Sequence, residues 1–404
     1  MQFKSEFLRT AEARGHVHQM TDPEGLDAEA AAGVVTAYVG YDLTAPSLHV
    51  GNLATIMLLR RLQQAGGRPI VLLGGGTSRV GDPSGKDSQR QLLTDAEIDA
   101  NRTSIRRIFE RFLVFGEGPR DALMVDNAEW LLDLGLIAFL RETGRHLSVN
   151  RMLTMDSVRL RLEREQPLSF LEFNYMALQA HDFVELFRRF GCTLQMGGSD
   201  QWGNIVTGID LGRRVADARL FGLTTPLVTT ADGAKMGKTA RGAIWLNPDM
   251  LGDWDYWQFW RNVDDRDVGR FLRLFTDLPL DEIARLEALE GAEINAAKVA
   301  LANAATAMCR GAEAAHAAEA TARATFAEGG TGEALPRTVM AGPAGIIDAL
   351  TLSGLAASRG EARRKLAEGA VRVDGEVVRD ESATVSAPAK LSLGRKRHAL
   401  LVPA

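Results

Sequence analysis

Gly33–Tyr41, GVVTAYVGY, is followed without a break by Asp42–Asn52, DLTAPSLHVGN. The first segment is short, apolar and rich in β-branched residues, the pattern of a strand buried on both faces. The second is a turn, after which Leu48–Gln64 has the apolar spacing of a helix that stops at Ala65-Gly66-Gly67. The same alternation continues downstream. Pro69–Leu73 (PIVLL) reads as a second buried strand, entering a glycine-rich loop over Gly74–Gly85. Thr94-Asp95-Ala96-Glu97 is a capping box opening a helix to about Phe115, and Ala122–Val125 is a third strand, before a helix over Leu131–Arg141. Further strands are expected near Cys192–Met196 and Pro226–Thr230. Strands alternating with helices predict an α/β fold with a doubly wound, Rossmann-like parallel sheet, whose ligands bind at the carboxyl ends of the strands.

After Asn247-Pro248 the pattern becomes helical, with one long alanine-rich helix expected over Ala292–Phe326. Gly329-Gly330-Thr331-Gly332 then breaks it. The expected divisions are a catalytic domain with an N-terminal helical segment over 1–247, a helical domain over 248–328, a linker over 329–343 and a small α+β domain over 344–404. In the last, Ser358–Glu361 opens a basic helix, and Asp374-Gly375 is a tight turn between Val371–Val373 and Glu376–Val378.

At 404 residues with 46% hydrophobic and 25% charged side chains, the composition is that of an ordinary globular protein. The net charge of −5 argues against general nucleic-acid coating, yet residues 344–404 hold ten Lys/Arg against seven Asp/Glu. A basic C-terminal module on an acidic body permits a local RNA contact, although ordinary surface variation gives the same balance. Cys192 and Cys309 are too few for a disulfide framework or a cysteine zinc site. The N-terminus lacks a signal-peptide core, and no apolar run approaches the roughly 20 residues of a membrane span, so the expected setting is the cytoplasm.

Two short motifs carry the chemistry. His49-Val50-Gly51-Asn52 lies at the first strand-to-helix turn, and Lys235-Met236-Gly237-Lys238-Thr239 lies in a polar loop far downstream. His49, Asn52 and Thr44 supply neutral donors at a helix start, where the helix dipole favours anions; Lys235 and Lys238 supply movable positive charge for a departing pyrophosphate. Gly51 allows a close backbone approach. The loop Gly74–Lys86 fits neither familiar phosphate pattern. Three residues separate Gly81 from Gly85 where the Walker motif needs four, and Asp87 follows Lys86 where Ser or Thr is required. Its useful group is Asp82, a carboxylate suited to an ammonium or a hydroxyl.

Phe170–Phe190 reads as one apolar helix carrying Tyr175, Gln179 and Asp182 on a single face. Three aligned polar groups are costly to bury unless a ligand or an internal network satisfies them, and in isolation either reading stands. His181 points away and is read as structural. Asp200, in the turn Gln195–Asn204, suits a ribose diol. Trp254, Trp257 and Trp260 recur at helical spacing and are read as core.

Together these segments resemble bacterial tyrosyl-tRNA synthetase, a class I aminoacyl-tRNA synthetase, along essentially the whole chain. The resemblance is carried by YVGYDLTA at Tyr38–Ala45, GDPSG at Gly81–Gly85, YMALQAHD at Tyr175–Asp182, GGSDQWGN at Gly197–Asn204 and KMGKTARGAIWL at Lys235–Leu246. It implies that Tyr38 and Asp182 hold the phenolic hydroxyl of L-tyrosine. Asp82, Tyr175 and Gln179 would take its ammonium, with Gln195 nearby, and Gln201 would face its carboxylate. Asp42, Gly51, Asn52, Asp200 and Lys238 would contact ATP, and Thr44, His49, Lys235, Lys238 and Thr239 would surround its phosphates, with Mg²⁺ on them and no metal bound by the protein itself. Asn52 stands where the family commonly has a second histidine, and its amide can donate the same bond. SRGEARRKL at Ser358–Leu366 and VRVDGEVV at Val371–Val378 resemble a small RNA-binding domain shared with a ribosomal protein. There Arg359, Arg363, Arg364, Lys365 and Arg372 would meet tRNA phosphates. The family also implies a homodimer and no membrane. A tryptophanyl-tRNA synthetase shares the sheet and both motifs but not the phenol-binding pair. A small nucleotidylyltransferase would not need the second motif, and a synthetase-like RNA-binding protein without catalysis would be expected to show a broken site.

Overall fold

The buried strands expected from the sequence assemble into one sheet in the computed structural model, which describes residues 2–84, 93–233, 235–239, 242–327, 335–394 and 397–404, with backbone alone at 238–239 and 325–327. Gly85 and Lys86 of the glycine-rich loop, Gly329–Gly332 of the expected linker, and the side chains of Lys238 and Thr239 lie outside this description.

Six strands form the sheet: β1 (Gln19–Met20), β2 (Thr36–Asp42), β3 (Arg68–Gly74), β4 (Leu123–Asp126), β5 (Leu194–Gly198) and β6 (Phe221–Thr225). Their order is β1-β6-β5-β2-β3-β4, parallel throughout except for the antiparallel edge pair β1–β6. Connections leave β2 to β3 on one side and return to β5 on the other, so the strand order reverses beside β2, where open parallel sheets form their ligand crevice. Three helices matter for that crevice: α1 (Val50–Gln64), α2 (Tyr175–Phe190) and α3 (Trp202–Ala216). The last two pack on each other.

Local chemistry moves four elements from their expected places. The strand expected over Pro226–Thr230 is Phe221–Thr225, ending before a proline that has no N–H for a ladder. Leu131–Arg141 divides into Ala128–Leu131 and Leu136–Glu142, separated across Gly135. Phe170–Phe190 divides at Asn174, whose side-chain amide turns back to donate to the Phe170 carbonyl at 2.6 Å. The alanine-rich helix is two, Ile294–Arg310 and Ala312–Ala327, because Gly311 adopts φ +99°, which L side chains resist.

The chain divides into two compact units: Met1–Gly237 with Trp245–Asn247 and Asp264–Ala288, and Lys238–Ile244 with Pro248–Val263 and Leu289–Ala404. In the second, Trp254, Trp257 and Trp260 are buried, as their spacing suggests. Its C-terminal sheet contains the expected Val371–Val373 and Glu376–Val378 pair, turned through Asp374 (φ +48°) and Gly375 (φ +92°). Ser358 caps the preceding helix, while the Glu361 carboxylate reaches past it to the Ala357 amide at 2.8 Å.

In the first unit, Arg14, Arg61 and His16 form a buried basic cluster. Arg14 donates to the carbonyls of Thr276 (3.0 Å) and Leu278 (2.8 Å), and Arg61 pairs with Asp277. Neither His16 ring nitrogen has a partner among the described residues. Burial first, then the charges of Arg61 and Arg14, push its imidazolium down to about 3 from an ordinary value near 6.5. Between those values the unfolded chain binds a proton that the folded chain refuses, so stability rises with pH across that window and is lost as pH falls. Asp277 acts in the same sense at lower pH. Burial alone would raise it, but hydrogen bonding from Arg60 and the charges of Arg61 and Arg60 hold it down to about 2. The expected result is a loss of about 2 kcal/mol between pH 6.5 and pH 5, one pH unit being worth about 1.4 kcal/mol. His16→Phe should flatten this segment, as read from urea unfolding midpoints at the two pH values.

Candidate active site

β2, β3, β4 and α2 bring their polar groups together at the carboxyl end of the sheet. Tyr38 on β2 pairs directly with Gln195 on β5, so both side chains leave the same face. The Tyr38 hydroxyl and the Gln195 Oε1 are buried, and neither has a hydrogen-bond partner among the described residues. Burial and then the charge of Asp182 raise the Tyr38 phenol well above its ordinary value, so it is a hydroxyl donor throughout the physiological range. Orphaned buried polar atoms are rare and costly in a finished protein core; these two stand side by side on neighbouring parallel strands, in a sheet whose class takes ligands at the carboxyl ends.

Asp182 on α2 is buried and accepts from Asn127 Nδ2 at 2.9 Å and Trp130 Nε1 at 2.8 Å. Burial raises its carboxyl to about 7 against these two donors, with Asp42 and Asp126 adding to the rise. One helical turn earlier, Gln179 joins Gln201 (3.2 Å) and Asn204 (2.9 Å). Gln201 in turn donates to Asp82 Oδ2 at 2.8 Å, while Asp82 Oδ1 accepts the Ser84 amide at 2.8 Å. Tyr175 donates to Asp42 Oδ2 at 3.2 Å, which leaves the phenol oxygen itself as an acceptor. The aligned face of Tyr175, Gln179 and Asp182 is therefore engaged in internal hydrogen bonds at all three positions. Asp42, expected on the ATP side, has its carboxylate engaged by Tyr175 and Thr77. Asp200 is open to solvent; desolvation by its neighbours and the nearby Asp82 charge raise its carboxyl, and Lys235 opposes them.

The two motifs meet. His49 is the cap of α1: its Nδ1 accepts the Gly51 amide at 3.0 Å, and Asn52 Oδ1 accepts the His49 amide at 3.1 Å. Nδ1 being the acceptor places the ring proton on Nε2, and the Asn52 amide keeps its NH₂ as donor. Met236 donates to the Val228 carbonyl, and after Thr239 the chain returns to the same turn, where Leu246 N donates to the Leu48 carbonyl at 2.8 Å. A Cβ on Gly51 would stand 2.7 Å from the His49 ring and 3.0 Å from the Met236 carbonyl. The space at Gly51 is thus occupied by the second motif. Gly237, at φ +102°, would place a Cβ 2.9 Å from both Gly51 N and His49 Nδ1. Gly237→Ala is expected to cost about 1–3 kcal/mol through backbone strain in this loop, read as a lower urea unfolding midpoint. An unchanged midpoint would show that the loop tolerates the methyl.

Thr44 and Lys235 are exposed beside this turn in sequence and structure respectively, and Lys238↔Ala243 and Thr239↔Gly242 pair as a short ribbon. In the C-terminal sheet domain Arg359, Arg363, Arg364 and Arg372 are exposed and Lys365 half-buried. Arg359 pairs with Asp348 at 2.8 Å, Arg363 with Glu381 at 3.3 Å and Lys365 with Glu368 at 2.7 Å. Sequence reading missed Thr77, Asn127, Trp130 and Asn204. Asn127 directly follows the last residue of β4, and strand carboxyl ends are the one general signal that points to it.

The family model "tRNA synthetases class I (W and Y)" matches residues 31–327. The "Tyrosine--tRNA ligase" of Novosphingobium aromaticivorans is 64% identical over 405 residues, covering 99% of each chain. The chain belongs to the bacterial tyrosyl-tRNA synthetase family. Residues 328–394 of the synthetase match the model "Tyrosine--tRNA ligase SYY-like C-terminal domain". A further relative, the ligase of Beijerinckia indica, is 61% identical over 98% of this chain and 97% of its own. Among solved structures, a C-terminally truncated mitochondrial tyrosyl-tRNA synthetase of Aspergillus nidulans superposes with a TM-score of 0.71 at 31% identity, covering 80% of the synthetase and 95% of itself.

Proposed function

We propose that the chain activates L-tyrosine with ATP, forming tyrosyl-adenylate and pyrophosphate, and then transfers the tyrosyl group to the 3′ end of tRNA(Tyr). The observation that carries the choice of amino acid is the orphaned Tyr38 hydroxyl beside the buried Asp182 carboxylate, a pair shaped for a phenol. A phenylalanine ring would leave both unpaired. The charges of Asp42, Asp82 and Asp182 all act on Tyr175 in this half of the site, an environment that favours an ammonium. Asp82, Gln179 and the Tyr175 oxygen are read as its acceptors, Gln195 as their neighbour, and Gln201 as the amide facing the carboxylate.

The substrate carboxylate is the nucleophile, so no protein nucleophile is required. It attacks the α-phosphorus, the bond to the β-phosphate bridging oxygen breaks, and pyrophosphate departs. Catalysis by the chain then consists of positioning and charge stabilisation. His49 Nε2–H and the Asn52 amide are the donors at the start of α1, Thr44 and Thr239 add hydroxyls, and Lys235 and Lys238 add positive charge. Gly51 and Asp42 shape the turn under the nucleotide, and Asp200 is read as the ribose acceptor. ATP is expected as its magnesium complex. The ion's ligands are read as coming chiefly from the phosphates.

We read 1–247 as the catalytic domain, 248–328 as the anticodon-recognising helices, 329–343 as a linker and 344–404 as the RNA-binding domain. Arg359, Arg363 and Lys365 would exchange their acidic neighbours for tRNA phosphates there, and Arg364 and Arg372 would add their charges. Large apolar side chains stand exposed between 132 and 171, among them Leu136, Ile137 and Phe170, the last 81% exposed, which supports a homodimer through this segment. Among the described residues no helix is long and apolar enough to cross a membrane, and the cytoplasm, which supplies tRNA and ATP, is the proposed setting. The test is amino-acid-dependent exchange of labelled pyrophosphate into ATP with tyrosine, tryptophan and phenylalanine in parallel. Exchange with tyrosine alone is expected; exchange with none would overturn the reading.

A further inference from the structure

A continuous hydrogen-bond chain joins the two ends of the amino-acid site through a residue outside both binding sets. It begins at Trp130 and Asn127, which donate to the two oxygens of Asp182. Asn127 Oδ1 accepts the backbone amides of Gly76 (2.8 Å) and Thr77 (3.4 Å), which fixes the orientation of the side chain. Its Nδ2 therefore has two hydrogens and two acceptors, Asp182 Oδ2 at 2.9 Å and Thr77 Oγ1 at 3.1 Å. The single hydrogen of the Thr77 hydroxyl goes to Asp42 Oδ1 at 2.8 Å. The other Asp42 oxygen accepts from Tyr175 at 3.2 Å. Every proton in this chain has one place to go, so its direction is determined.

We propose that Thr77 is a positioning residue for amino-acid selection, holding the phenol-recognising carboxylate of Asp182 through Asn127 and tying it to Asp42 and Tyr175 at the ammonium end. The proposal rests on the tyrosine-activating reading above. Thr77 is buried and its hydroxyl is engaged on both sides, so it acts through its neighbours. Valine has nearly the same shape and would fill the same space. What valine cannot do is accept from Asn127 and donate to Asp42 at once. Without the hydroxyl, the second Asn127 hydrogen has no acceptor, and the amide that aims its first hydrogen at Asp182 is held only by the backbone amides of Gly76 and Thr77. Asp42 loses a donor in the same step. Asp42 and Asp182 are like charges close enough that one raises the other, and the donor chain between them offsets that repulsion.

The experiment compares Thr77→Val and Thr77→Ser with the unmodified chain by pyrophosphate exchange, taking the ratio of kcat/KM for tyrosine over phenylalanine, together with Tm. Thr77→Val is expected to lower the ratio about tenfold, the tyrosine value falling more than the phenylalanine value, and Thr77→Ser, which keeps the hydroxyl, to restore it to within about twofold. A merely structural role would lower both substrates or Tm and leave the ratio in place, and that result overturns the proposal. If valine is not accommodated, Thr77→Ala gives the same reading, and an unchanged ratio in that variant is equally fatal. Absence of tyrosine-dependent exchange in the unmodified chain would instead overturn the activity on which the proposal rests.

Discussion

Asp182→Ala is expected to lower the preference for tyrosine over phenylalanine about 100-fold, through a fall in kcat/KM for tyrosine that leaves phenylalanine nearly unchanged. A hydrogen bond to a charged partner contributes about 1.5–3 kcal/mol, and the upper part of that range corresponds to about two orders of magnitude. The variant also loses the acceptor for Asn127 Nδ2 and Trp130 Nε1, which costs stability. That cost is offset in part, because burial makes the Asp182 carboxylate itself unfavourable, as its rise to about 7 records. Both amino acids are measured on one preparation, so the folded fraction cancels in the ratio. Selectivity left unchanged by the substitution would remove Asp182 from phenol recognition.

His49→Ser is expected to lower kcat for adenylate formation about 100- to 1,000-fold, the range found when one preorganised donor to a developing anion is removed. Serine is chosen because it is among the strongest helix caps, so α1 keeps an acceptor for its first amides and stability should change by no more than about 1 kcal/mol. What is lost is the Nε2–H, held in place by the Gly51 amide on Nδ1 at 3.0 Å. KM for tyrosine should stay within about threefold, since a donor to the phosphates, the role proposed for His49, develops its full effect only in the transition state. Pyrophosphate exchange at saturating tyrosine gives kcat, and a fall in KM-limited binding alone would place His49 outside the phosphate site.

Much of the framework was legible in local sequence. GVVTAYVGY and PIVLL are strands because they are short, apolar and β-branched, and the structure places them side by side as β2 and β3. Thr94-Asp95-Ala96-Glu97 closes both halves of its capping box, and Asp374-Gly375 makes the turn its residue types favour. Errors arose where one residue outweighed a periodic pattern. Gly311 cuts an otherwise uninterrupted alanine-rich helix, Asn174 restarts another, and Pro226 marks the end of a strand read as its beginning. Periodicity averages over a window, whereas a positive φ or a missing N–H acts at a single position.

The sequence by itself determined the alternating strands and helices, the residue types of the motifs at His49–Asn52 and Lys235–Thr239, and the common face of Tyr175, Gln179 and Asp182, since each depends on neighbours within a few positions. Tertiary structure alone decided which groups share a hydrogen. Asn127 and Trp130 reach Asp182 across more than 50 positions, Thr77 reaches Asp42 across 35, and the Met236 carbonyl occupies the space at Gly51. Spacing along a chain sets direction only within one helix or strand. A hydrogen bond needs its donor and acceptor within about 3 Å and aligned, and for residues on different elements that condition is met only by the packed fold.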